Sequence, residues 1–132
     1  MKYFTIPELC ASRVAAACGV DNTPSVEVES NLRRLVAAVL DPAREFIGVP
    51  ILVNSGYRCH LLNAMVGGSA TSQHLYGYAA DITCRYECLP QLFHYIRDVL
   101  TFDQLIYYRS QDFIHVSYVS TRTNRKEVII KA

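Results

Sequence analysis

The chain has 132 residues, a formal net charge of +1 and 51% hydrophobic residues. That length fits one domain over residues 1–132, with a core that needs no metal or disulfide to fold, and the composition argues against disorder. The near-neutral charge gives no long-range pull toward nucleic acid or an anionic membrane, and no apolar run is long enough to span a bilayer.

The first helix signal is TIPELCASRVAAACG. Thr5 and Glu8 fit a capping box, Pro7 suits the first turn, and Gly19 ends the helix. After the turn-rich DNTPS, the stretch VEVESNLRRLVAAVLDPAREFIG places Leu32, Leu35, Val36, Val39 and Leu40 at the helical period. Pro42 is expected to kink that helix or divide it. VPILVNSGYR reads as a strand entering a Gly-containing turn, and LLNAMVGGS as a short helix broken by Gly67 and Gly68. YAADITC is a short strand, and LPQLFHYIRDVL is a helix with Pro90 in its first turn. DQLIYYR and DFIHVSYV are strands joined around SQD, and EVIIKA is a last strand. Helices come first and strands dominate later, which predicts an α+β domain whose helices cover one face of a largely antiparallel sheet.

The N-terminal MKYFTIPELC has one lysine and no apolar block followed by a cleavage site, so it does not read as a secretory signal. The expectation is cytoplasmic synthesis with reduced thiols. The five cysteines, Cys10, Cys18, Cys59, Cys84 and Cys88, are odd in number and irregular in spacing. Cys84 and Cys88 lack the second pair that a zinc site of that type needs, and read as small buried apolar residues.

Strand alternation puts Ala80, Ile82 and Cys84 on one face and Ala79, Asp81 and Thr83 on the other, so Asp81 can point into a cleft. His74 precedes that strand, near a turn that Gly77 helps to make. His115 lies in a later strand. Two imidazoles and one carboxylate match a catalytic zinc site with an open fourth position. A hydrolytic site also needs a proton acceptor. Asp112 is the candidate, but in a regular strand a three-residue offset sends it to the opposite face from His115, roughly 10 Å away. The SQD turn must therefore bend the backbone. Arg58 is a fixed cation suited to an oxyanion or a substrate carboxylate. Taken singly, each of these residues reads as an ordinary structural or surface group, and the joint spacing is what gives them meaning.

The stretches SGYR with Asn63 and VGG, then SQHLYGYAADI, FDQLIYY and DFIHVSY, resemble the zinc peptidases that cleave cell-wall peptides containing D-amino acids. This is peptidase family M15, and the likeness is to its small single-domain branch found in phages and prophages. The pattern S-x-H-x-x-G-x-A-x-D with a later D-x-x-H carries it. The resemblance implies one Zn2+ per chain held by His74, Asp81 and His115. It implies Asp112 as acid/base, where many members have glutamate, and Arg58 as the oxyanion partner. Ser72, Tyr57 and Asn63 would face substrate. The implied fold is Hedgehog/DD-peptidase-like, a small antiparallel sheet with a metal groove across it, and the implied partners are peptidoglycan peptides. A phage enzyme released by a holin would need no signal peptide. The rivals are a non-catalytic binding module of the same fold and a cytoplasmic D-Ala-D-Ala dipeptidase.

His60 and His94 stand outside the set, with His94 expected to be partly buried on its helix. Tyr76, Tyr78, Tyr107 and Tyr108 read as packing residues.

Overall fold

The computed structural model describes residues 1–85 and 87–132. Thr5 caps α1 (Ile6–Cys10) as expected: its hydroxyl accepts from the Glu8 N–H at 3.2 Å, and Glu8 accepts from the Thr5 N–H at 3.4 Å. The single helix expected through Gly19 is two. Ala11 is extended, and the Ser12 hydroxyl caps a new helix, α2 (Arg13–Cys18), which ends at left-handed Gly19. A serine that can cap competes with helix continuation, and here it wins.

Ser25 caps α3 (Val26–Leu35). Pro42 neither breaks nor divides the helical path. A π turn over Val36–Leu40 joins α3 directly to α4 (Asp41–Ile47), and the Asp41 N–H bonds the Val36 carbonyl five residues back. The wider turn absorbs the residue that has no N–H to give. Then come β1 (Ile51–Ser55), α5 (His60–Met65), a 3-10 turn over Gln73–Tyr76, and β2 (Ala79–Cys84). The chain ends with α6 (Leu89–Val99), β3 (Gln104–Tyr108), β4 (Phe113–Ser117) and β5 (Glu127–Lys131).

The strands form one sheet in the order β1-β2-β4-β3-β5. Three pairs are antiparallel, but β5 runs parallel to β3, with Gln104 opposite Glu127. The sheet is therefore mixed. The docking device is Asp103: its carbonyl accepts from Glu127 N–H at 2.9 Å, and its carboxylate accepts from Arg125 N–H at 2.9 Å.

Alternation sorts the two faces. Ala80 and Ile82 of β2, Leu105 of β3, and Ile114 and Val116 of β4 are fully buried against Leu35, Val39, Leu40, Leu92, Phe93 and Ile96 of the helices. Each of these larger side chains contributes about 1.5–3 kcal/mol of burial. The opposite face carries Asp81, Thr83, Ile106, Tyr108 and His115.

One expectation fails at the end of β2. Cys84 and Cys88 are joined as a disulfide, their Cα atoms 6.2 Å apart, rather than standing as reduced thiols; Cys10, Cys18 and Cys59 are free. Among the described residues, no helix is long and apolar enough to cross a membrane.

Candidate metal centre

Asp81 and His115 are direct partners across the β2–β4 ladder, and Ile106 of β3 lies opposite His115 on the far side. His74 enters from above, in the 3-10 turn that Ser72 caps and left-handed Gly77 closes. Gly77 is required there twice over: its φ is +76°, and a Cβ would come within 2.7 Å of the Val28 carbonyl oxygen.

Nδ1 of His74 lies 2.7 Å from the Gly56 carbonyl oxygen. A carbonyl only accepts, so Nδ1 carries a proton and Nε2 is the ring atom turned toward Asp81. That Nε2 is 3.3 Å from Asp81 Oδ1, and Nδ1 of His115 is 3.0 Å from the same oxygen. One ligand atom from each of the three residues falls within 4.8 Å of the others. The group is secluded: the side chains of His74, Asp81 and His115 are 4%, 19% and 13% exposed. Burial pushes the Asp81 carboxyl up, but its bonds to His115 and His74 prevail and hold it well below the usual carboxylate range.

Arg58 flanks the group. Its N–H donates to the His74 carbonyl at 3.1 Å, and its Nη2 reaches the Ser72 hydroxyl at 3.4 Å. Burial lowers the guanidinium pKa and the Asp81 charge opposes that fall; a guanidinium stays cationic under such shifts.

The sequence profile described as Peptidase M15 matches residues 2–117. The chain belongs to the peptidase M15 family. It is also 52% identical over 33 residues to a zinc D-Ala-D-Ala carboxypeptidase of Streptomyces albus G. That match takes in 25% of this chain and spans 13% of the relative's length.

Two histidines and a carboxylate around one point are the donor set that M15 membership leads one to seek, and their chemistry fits a divalent metal. With His74 neutral, its Nε2 and the Asp81 carboxylate are lone-pair donors placed to share a cation. Nitrogen and oxygen donors of this kind suit zinc.

The three acceptors line a hollow of about 440 Å³ together with Arg58, Ser72 and Tyr108. A larger hollow, about 780 Å³, also borders Arg58 but is lined by none of His74, Asp81 and His115. The smaller one is the chemical site, because depth without reactive groups does no chemistry.

The other expected site residues divide. Ser72 lines the metal hollow, and its hydroxyl also accepts from the His74 N–H at 3.2 Å. Tyr57 lines the larger hollow. Asn63 is 3% exposed and lines neither; its amide donates to the Ser69 carbonyl at 2.8 Å and holds the loop after α5. Asp112 is exposed, at the turn into β4, in the left-handed conformation (φ +56°). The backbone does bend at this turn. The Thr83 hydroxyl donates to the Asp112 carbonyl at 2.8 Å, which ties the turn to β2, but Asp112 is not among the residues that line the hollow.

His94 is exposed, not partly buried, and His60 is exposed at the start of α5. Tyr107 packs on Phe93, with ring centroids 5.2 Å apart, while Tyr108 stacks on Phe113 at 4.4 Å in the wall of the metal hollow. Tyr108 thus shapes the site as well as packing. Sequence reasoning misses Gly56, Thr83 and Gln73. The first two act through a carbonyl and a hydroxyl that any loop or strand carries. Gln73 sits inside the SQH stretch, but a neutral amide beside a ligand announces no chemistry of its own.

Proposed function

We propose that this chain is a zinc-dependent peptidase that hydrolyses a peptide bond in the stem or cross-link peptides of peptidoglycan. The convergence of His74 Nε2, His115 Nδ1 and the Asp81 carboxylate within 4.8 Å carries the reading, with the M15 membership beside it. His74, Asp81 and His115 would hold the metal, which when bound supplies Lewis acidity at the scissile carbonyl. Asp112, exposed at the turn into β4, would take the proton of the attacking water and return it to the leaving amine. Arg58 sets its guanidinium toward the carbonyl oxygen as negative charge develops there. Ser72 holds both the His74 backbone and the Arg58 head in register.

Arg58 borders two hollows, which together give more room than a dipeptide needs. That favours an extended peptide over a free D-Ala-D-Ala dipeptide. The test is metal content of the purified protein together with digestion of purified peptidoglycan, with and without chelator, for wild type and His74→Ala. About one zinc per chain, with new peptide ends that vanish on chelation and in the variant, is the expected result, and mass spectrometry of those ends identifies the bond as D-Ala-D-Ala, L-Ala-D-Glu or another. Stoichiometric zinc without cleavage of wall or muropeptides would transfer the reading to a binding module.

A further inference from the structure

The residue before β3 is a buried acid that the peptidase chemistry does not use. Asp103 is 2% exposed. A carboxylate so deep needs partners, and it has them. Arg125 donates from its backbone N–H at 2.9 Å and from Nη2 at 2.8 Å. The remaining partner is Gln73, whose Nε2 lies 2.7 Å from Asp103 Oδ2. On its other side Gln73 Oε1 lies 3.4 Å from Nε2 of His115.

Asp103 fixes the direction of the Gln73 amide. An ionised carboxylate only accepts, so the NH2 end of the Gln73 amide faces Asp103. The oxygen end then faces His115, and it too only accepts. Nε2 of His115 then carries a proton toward Gln73, and once a metal replaces a proton between Nδ1 and Asp81, Nδ1 is the atom that supplies the lone pair. That Nδ1 is the atom 3.0 Å from Asp81. We propose that Asp103 and Gln73 are positioning residues that fix His115 in the tautomer whose Nδ1 faces the metal. Arg125 anchors the far end. His74 is fixed separately, by the Gly56 carbonyl, so each imidazole has its own orienting acceptor.

This inference rests on the metal reading above but not on hydrolysis, so it is tested by zinc affinity. Wild type, Gln73→Leu and Asp103→Asn are titrated against a chromophoric zinc chelator. Outer partners of metal-bound histidines are typically worth about 10- to 100-fold in affinity, and a loss of that size is expected in both variants. Asp103→Asn acts by allowing the Gln73 amide to flip and present its NH2 to His115. Gln73→Leu leaves the Asp103–Arg125 pair in place, so its metal-free form should unfold close to wild type; that separates positioning from folding. Long-range 1H–15N spectra of the zinc-loaded wild type should show His115 protonated at Nε2. Wild-type zinc affinity in folded Gln73→Leu, or a His115 bound through Nε2, would overturn the proposal while leaving the peptidase reading intact. Conversely, loss of affinity in the variants upholds it even if no substrate is cleaved.

Discussion

The Nδ1 of His74 lies 2.7 Å from the carbonyl oxygen of Gly56. That carbonyl is available because Gly56 runs hard against α1: the Tyr57 N–H bonds the Leu9 carbonyl at 2.8 Å, and a Cβ on residue 56 would overlap the Leu9 backbone. The β1–β2 register slips between Val53 and Ser55, opposite Ile82 and Asp81, and this irregularity re-aims the chain toward His74. Gly56→Ala should therefore cost about 1–3 kcal/mol of stability, as overpacking does. Its effect on zinc should exceed what folding explains, a loss of roughly tenfold or more, because the clash with Leu9 displaces the carbonyl that orients the His74 ring. Urea unfolding and chelator competition on the same samples check this. A destabilised alanine variant with wild-type zinc affinity would show that metal binding does not depend on the close placement of this carbonyl.

Asp112 separates backbone from chemistry. At φ +56° it occupies a conformation that glycine adopts without strain. Asp112→Gly should keep stability within about 1 kcal/mol of wild type, since relief of strain and added chain entropy oppose each other. Turnover should nevertheless fall by about 10²–10⁴-fold, the usual value of a general acid–base group, with zinc content unchanged. Thr83→Val removes the hydroxyl that holds the Asp112 carbonyl. It should lower kcat with little effect on zinc content, by a smaller factor than Asp112→Gly. If Asp112→Gly turns over normally, another group moves the proton.

Much of the fold and site is legible in the sequence because the signals are local. The Thr5–Glu8 box, Pro90 in the first turn of α6 and the alternation around Asp81 and His115 all depend on neighbours within a few residues. The failures are long-range or competitive. Ser12 prevails over helix continuation. The sheet is largely antiparallel as expected, but its one parallel pair, β5 on β3, depends on Asp103 capturing Arg125 from 22 positions away and is not legible locally. Asn63 matches a motif, yet it serves the loop after α5 from the interior. The orienting groups Gly56 and Gln73 are invisible in the sequence because their roles exist only once the turn carrying His74 has met them.

Thiol chemistry tests the cysteine arrangement. Burial, with a smaller push from Glu29, raises the Cys10 thiol to about 11. At pH 8 only about one Cys10 in a thousand is then ionised, whereas Cys18 is exposed. Brief alkylation of the native protein should modify Cys18 well before Cys10. In denaturant without reductant three cysteines should react, and after reduction all five. Five reactive thiols in denaturant without reductant would mean that Cys84 and Cys88 are not paired in the isolated protein.

Asp103 gives stability a pH dependence whose sign can be worked out. Burial pushes its carboxyl up, but the bonds from Arg125 and Gln73 outweigh burial and hold it below the ordinary value. A carboxyl depressed in the folded state binds a proton more readily when unfolded. Its contribution is thus fully present above the unfolded value of about 3.9 and is lost as pH falls through the lower folded value. Asp81 shifts the same way, so wild type alone does not isolate the effect; comparison with Asp103→Asn does. The metal-free variant should be less stable at pH 7 by about 1.5–3 kcal/mol, the range for hydrogen bonds to a charged group. Unfolding measured from pH 7 to pH 2.5 should show the two proteins converging below pH 4. A gap that stays constant across that range would mean that the Asp103 carboxylate gains nothing from being ionised beside Arg125.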